Sequence, residues 1–235
     1  MRRDLVTEGI EKMVNSIASG HFPEGEALPG EQALADFLEV SRPTMREVVR
    51  ALADRGVLEV VHGRGTFVLP RSQWRDMETL VEVWRQVLPQ AEVNQRLTEV
   101  RRMIEVGSCG HAANNRTAED IEELEACLAR FAKAADSGDL EGVNRADVDF
   151  HNQILRATGN PFLMAVMRPL EGALADSRRA TTADSAVRVR ADRHHKKILE
   201  AIKAGDAEGA KNAMRAHMDQ TWSDLRTSDR GNNQG

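Results

Sequence analysis

The sequence predicts a mostly α-helical protein with two parts, an N-terminal winged helix-turn-helix and a C-terminal all-helical bundle. Three observations carry this. Aromatic residues make up only 4% of the 235 residues and tyrosine is absent, so the core must rest on Ala, Leu, Val, Ile and Met, which suit helices better than a β-sandwich. One β-rich run with glycines in its middle, VLEVVHGRGTFVL, follows three short helical stripes within the first 70 residues. From Met77 onward the apolar residues recur at helical spacing with no strand signal.

In order along the chain, Val6, Ile10, Val14 and Ile17 form one face of a first helix that Gly20 ends. HFPEGEALPG is a loop with two prolines and two glycines. Glu31 to Leu38 is a short helix. Ser41 is placed to cap a third helix, with Pro43 in its first turn and Met45, Val48, Val49 and Leu52 on one face. The run Val57 to Leu69 then reads as a hairpin, completing three helices plus a β-hairpin over residues 1–70. Residues 71–77 are polar and read as a linker. Six or seven helices are expected over 78–226, punctuated by Thr117-x-x-Asp120, Ser137-Gly138-Asp139, Gly159-Asn160-Pro161 and Gly205-Asp206. The stripe Leu163, Val166, Leu170, Leu174 reads as a single helix. Residues 227–235 read as a disordered tail.

Composition narrows the function. The formal net charge is -5, and the first 70 residues carry 8 basic against 11 acidic side chains. Nucleic-acid binding must therefore come from a local basic patch and specific contacts, not from bulk charge. No apolar run approaches the ~18 residues of a membrane span. The charged start MRRDLVTEGIEKMV is unlike a signal peptide, and Cys109 and Cys127 form no CxxC, which suits free thiols in a reducing cytoplasm.

Arg42, Arg46 and Arg50 recur every four residues on the third helix, beside the apolar face, so the row can point outward. Arginine's fork can grip guanine O6/N7 or phosphate oxygens in two places. Thr44 sits near the helix start, the part of a recognition helix that reaches base edges. At the hairpin tip, His62, Gly63 and Arg64 could enter an adjacent minor groove. A solvated arginine row would look the same taken alone. The helix-turn-helix spacing and the glycine-tipped wing favour double-stranded DNA.

The second half holds Asp147 and His151 one helical turn apart, His194-His195 on a later helix, and His217 on the last. His195 shares a row with Leu199 and Ile202, and His217 with Ala210 and Met214, so both point inward. Three imidazoles and a carboxylate converging in a bundle suit zinc, with nickel and manganese as alternatives. Core histidines and a surface i, i+4 pair fit the same spacing.

The stretch Ala27 to Val68 resembles the winged-helix domain of the GntR superfamily of bacterial regulators, through LPGE, SRPTMRE, Leu52-x-x-x-Gly56 and HGRGTFV in order. The resemblance implies DNA contacts from Arg42, Thr44 and Arg46 and from the wing at His62 and Gly63. Gln32 stands where the family usually has arginine, which alters that contact. Residues 78–226 resemble the FCD domain of the FadR subfamily, through Glu99-x-Arg101-x-x-x-Glu105, the Asp147 to His151 step, the GNPFL break and HKKILEAI. That implies metal ligands Asp147, His151, His195 and His217, the 22-residue step selecting His195 over His194. It also implies that Arg101 meets an effector carboxylate, unless it only pairs with Glu105.

The expected function is a homodimeric, cytoplasmic transcription regulator, expected to act as a repressor. It would read a pseudo-palindromic operator, which places it on the nucleoid when bound, and would answer to a small carboxylate. The rivals are a metal-free sensor of an acyl ligand, a sensor of the metal itself, and a metal-dependent hydrolase or isomerase. The enzyme lacks a second general base beside the four ligands, so none is expected.

Overall fold

The structure, a computed structural model, describes residues 2–232. It divides into two compact units, Met1–Pro89 and Gln90–Gly235.

The first unit contains helices α1 (Arg2–Ala18), α2 (Glu31–Leu38) and α3 (Arg42–Asp54), strands β1 (Leu58–Val61) and β2 (Gly65–Val68), and helix α4 (Met77–Val87). Met13, Ile17, Leu34, Leu38, Met45, Val48 and Leu52 are its innermost side chains. They come from α1, α2 and α3; the phases of α1 and α3 read from the sequence hold, while on α2, where Ala33, Leu34, Phe37 and Leu38 are the apolar candidates, Leu34 and Leu38 face in and Ala33 and Phe37 are exposed. Ser41 caps α3, its Oγ accepting from Thr44 N at 3.3 Å, and Pro43 sits in the first turn, where a missing N–H costs nothing. The strands pair antiparallel from Leu58 with Val68 to Val61 with Gly65. The tip turns through Gly63 at φ +73, a left-handed conformation that a side chain would strain.

Residues 71–77, expected as a linker, are folded onto this unit. Trp74 is buried and its Nε1 donates to Leu69 O at 2.9 Å. Arg75 N and Asp76 N both donate to Arg55 O at 3.1 Å, and Asp76 then caps α4 at Thr79 N. Helix α4, expected in the second domain, packs on α1 through Val83 and a Gln86 Nε2 to Asn15 Oδ1 bond of 2.7 Å. The polar neighbours of Trp74 concealed it: one large apolar ring suffices to anchor a segment that reads as hydrophilic.

The second unit has seven α-helices among the described residues: α5 (Gln90–Asn115), α6 (Ala118–Ser137), α7 (Leu140–Ala157), α8 (Pro161–Met167), α9 (Glu171–Thr182), α10 (Ser185–Ala204) and α11 (Ala207–Asn232). Helix α5 lies against α7 and α11, α6 against α7, and α10 against α11. Thr117 and Asp120 close a capping box on α6, and Gly138 and Gly205 end α6 and α10 in the left-handed conformation. Two expectations need correction. The stripe from Leu163 to Leu174 is not one helix: a 3-10 turn at Arg168–Leu170 separates α8 from α9, because Pro169 lacks the N–H that a continuous helix needs, and Val166 is exposed. The tail expected from residue 227 is helical as far as Asn232, since no breaker precedes Gly231; the rest of that tail lies outside the described residues.

A candidate metal centre and a candidate DNA face

The apolar rows that build the second core also carry the histidines inward. On α7, Val143, Asp147, Phe150, His151 and Ile154 share one buried face. On α10 His195 lies one turn before Ile198 and Leu199, and on α11 His217 lies between Met214 and Met218. His151, His195 and His217 thus bring one ring nitrogen each within 4.8 Å of one another. His194, its neighbour in sequence, stays outside this group. Phe150 lies tilted against His195 and Phe131 meets it edge-on, with ring centroids 4.7 and 5.6 Å away.

Asp147 faces the group with one oxygen and leaves it with the other. Its Oδ1 is 3.4 Å from His195 Nε2 and 3.9 Å from His151 Nε2, while Oδ2 is held by Arg178 Nε at 2.8 Å. Ligand separations near 3.4 Å are what tetrahedral bonds of about 2.1 Å span. Behind the histidines, Glu105 Oε2 lies 2.7 Å from His151 Nδ1. Glu105 in turn accepts from Arg101, Nε to Oε1 at 2.7 Å and Nη2 to Oε2 at 3.3 Å.

His195 has no exposed surface, and neither of its ring nitrogens has a hydrogen-bond partner. Burial pushes its imidazole down to about 3, and burial with the neighbouring imidazoles holds His217 well below its ordinary value. Both rings are therefore neutral at physiological pH, the form that binds a metal. Burial alone would raise the carboxyls of Glu105 and Asp147. Arg101 and His151 outweigh it at Glu105, and His151 and Arg178 at Asp147, so both stay ionised. The residue set fits a divalent cation: a fully buried ring with two orphaned nitrogens, neutral imidazoles, an anionic carboxylate and an oriented outer shell. A cavity of about 40 Å³ opens beside it, lined by Arg101, Asp147, His217, Arg178, Arg188 and Thr221 among others.

In the first unit Arg42, Arg46 and Arg50 are exposed along α3, and His62, Gly63 and Arg64 are exposed at the wing. Glu31 on α2 accepts from Arg46 Nε at 2.8 Å and lies 4.0 Å from Arg42. Thr44 differs from the expectation of an outward group: it is buried and its hydroxyl is bonded to Ser41 Oγ at 2.8 Å.

The model of the bacterial regulatory proteins of the gntR family matches residues 7–68, and the FCD domain model matches residues 96–220. The chain belongs to the GntR family. As a GntR-type protein with an FCD domain it is a DNA-binding transcription regulator, and its relatives are regulators rather than enzymes. The galactonate operon transcriptional repressor of Escherichia coli is 30% identical, over 84% of this chain and 86% of that one. LutR, a transcriptional regulator of Bacillus subtilis, is 29% identical, over 86% of this chain and 92% of that one. Among solved structures, Streptococcus agalactiae GntR aligns at a TM-score of 0.53 and 25% identity, over 93% of this chain and 99% of that one. A metal-free FCD domain shares the fold of the second unit at a TM-score of 0.51 and 20% identity, over 61% of this chain and 99% of that one.

The sequence reading missed Arg178, Arg188 and the double role of Glu105. Arg178 lies in α9, after the break at Pro169, which removes the phase that would place it; Arg188 lies in the first turns of α10, two turns before His195 on the same face, and could have been placed from it. For Glu105 the signal existed: it lies one turn from Arg101 on the buried face of α5.

Proposed function

We propose that this GntR-family regulator is an effector-responsive repressor, acting in the cytoplasm as a homodimer on a pseudo-palindromic operator. Its second unit holds a divalent metal, zinc by preference, on Asp147, His151, His195 and His217. A small carboxylate binds beside it in the cavity that Arg101 lines. One observation carries the reading: His195 is fully buried with both ring nitrogens unpartnered, an arrangement costly unless a ligand satisfies it.

When bound, the metal supplies a Lewis-acid contact for one carboxylate oxygen. The chain does the rest. Arg178 keeps one oxygen of Asp147 engaged and turns the other toward the imidazoles. Glu105 orients His151 and holds Arg101 in place at the cavity wall, where the guanidinium remains a hydrogen-bond donor.

On the DNA side, Arg42, Arg46 and Arg50 read and clamp the major groove, with Thr44 buttressing the start of α3, and His62, Gly63 and Arg64 meet the adjacent minor groove. The effector changes operator affinity only as far as it prefers one of the two states of the dimer. Metal analysis of purified wild-type and His195→Ala protein tests the site. About one divalent ion per wild-type chain and none in the variant is expected; equal content in both would remove His195 from the ligand set.

A further inference from the structure

Three arginines line the cavity beside the histidine cluster, Arg101 from α5, Arg178 from α9 and Arg188 from α10. Two of them are matched within the fold, Arg101 by Glu105 and Arg178 by Asp147. Arg188 is not: among the described residues no carboxylate is within ion-pair distance of it. The other acid on its wall, Asp224, is taken by Arg190 at 2.6 Å and Gln220 at 3.0 Å. Arg188 is nevertheless fixed. Its Nη1 donates to Thr182 O at 2.6 Å and to Ala183 O at 3.1 Å, the carbonyls at the end of α9. That leaves Nε and Nη2 without a protein partner among the described residues, on a half-buried, pre-positioned fork.

We infer that Arg188 receives a second anionic group of the effector, which makes the ligand class a short dicarboxylate and not a monocarboxylic acid. The inference rests on the carboxylate-sensing reading above and deepens it. A planar guanidinium held by one nitrogen keeps an edge free for a carboxylate, and in a partly desolvated wall such a charge-assisted contact is strong. Arg188 lines the same cavity as Arg101, Asp147 and His217, so one molecule bound there can present a group to each end. Arg188 would also cap the carbonyls of α9 in a protein with no ligand at all, and the test must separate that role from binding.

The experiment is calorimetric titration of the metal-loaded full chain with succinate and malate, against butyrate and 3-hydroxybutyrate. The dicarboxylates are expected to bind about tenfold or more tightly. Arg188→Gln should abolish the preference, with monocarboxylate affinity changed less than about twofold, and Arg188→Lys, which retains the charge, should keep part of it. Equal affinity of both classes for wild type would overturn the inference while sparing the sensor. Equal losses for both classes in Arg188→Gln would overturn it in favour of a purely structural cap. Binding of neither class to wild type would overturn the inference together with the carboxylate-sensing reading.

Discussion

At the residue scale the centre of the molecule is a chain of contacts from Arg101 through Glu105 to His151, and from Arg178 through Asp147 to His195. Every member is buried, so removing one leaves its neighbour with no water to fall back on. Arg101→Ala is expected to destabilise the protein by about 3–5 kcal/mol, because Glu105 is left as an uncompensated buried charge. Urea unfolding of the variant measures this, and a loss under about 1 kcal/mol would mean that the pair is hydrated. Glu105→Gln should lower metal affinity by about 10–100-fold, as loss of a partner to a ligating histidine does. Competition with a chromogenic chelator reads that change. Asp147, His151, His195 and His217 were legible in the sequence because their spacing is that of helix faces already marked by Phe150, Ile154, Leu199 and Met214. Arg178 was not, since the break at Pro169 hides the phase of α9, whereas Arg188 shares the inward face of His195 two turns on and was overlooked.

Among elements, α3 shows how much a local signal can settle. Ser41, Pro43 and the row Met45, Val48 and Leu52 fix its start and its rotation, and the exposed row Arg42, Arg46 and Arg50 follows from that rotation. Ser41→Ala should cost about 1 kcal/mol through loss of the cap, visible as a lower melting midpoint. Arg46→Ala should weaken operator binding by about 1–3 kcal/mol and relax base preference, as read by gel-shift titration on single-base operator variants. An unchanged affinity would take Arg46 off the reading face. The elements that eluded sequence reading are those whose position depends on a partner. Helix α4 has an ordinary amphipathic stripe, and only packing on α1 assigns it to the first unit. The α8–α9 pair has a continuous apolar stripe, and only the missing N–H of Pro169 interrupts it.

For the molecule as a whole, burying neutral imidazoles couples stability to pH. His195 takes a proton at about 3 when folded and near 6.5 when unfolded, so between those values the unfolded chain binds more protons. The contribution is complete above pH 6.5 and is lost as pH falls toward 3. Glu105, depressed in the folded state, adds a loss of the same sign below its ordinary range near 4.5. Metal-free protein should therefore melt at progressively lower temperature from pH 7 to pH 4, while bound metal, which competes with the same protons, should deepen the dependence. A flat profile would mean that the histidines are hydrated in solution.

The central claim is that one site couples a metal to a carboxylate. Thermal melting with a panel of small acids, run in parallel on metal-loaded and chelator-treated protein, tests it most directly. An acid at 100 times its dissociation constant adds about 2.7 kcal/mol, or roughly 5–10 °C for a chain of this size. The account predicts that shift with metal present and its loss after stripping. The same shift in both preparations would contradict it, leaving Asp147, His151, His195 and His217 with a structural role.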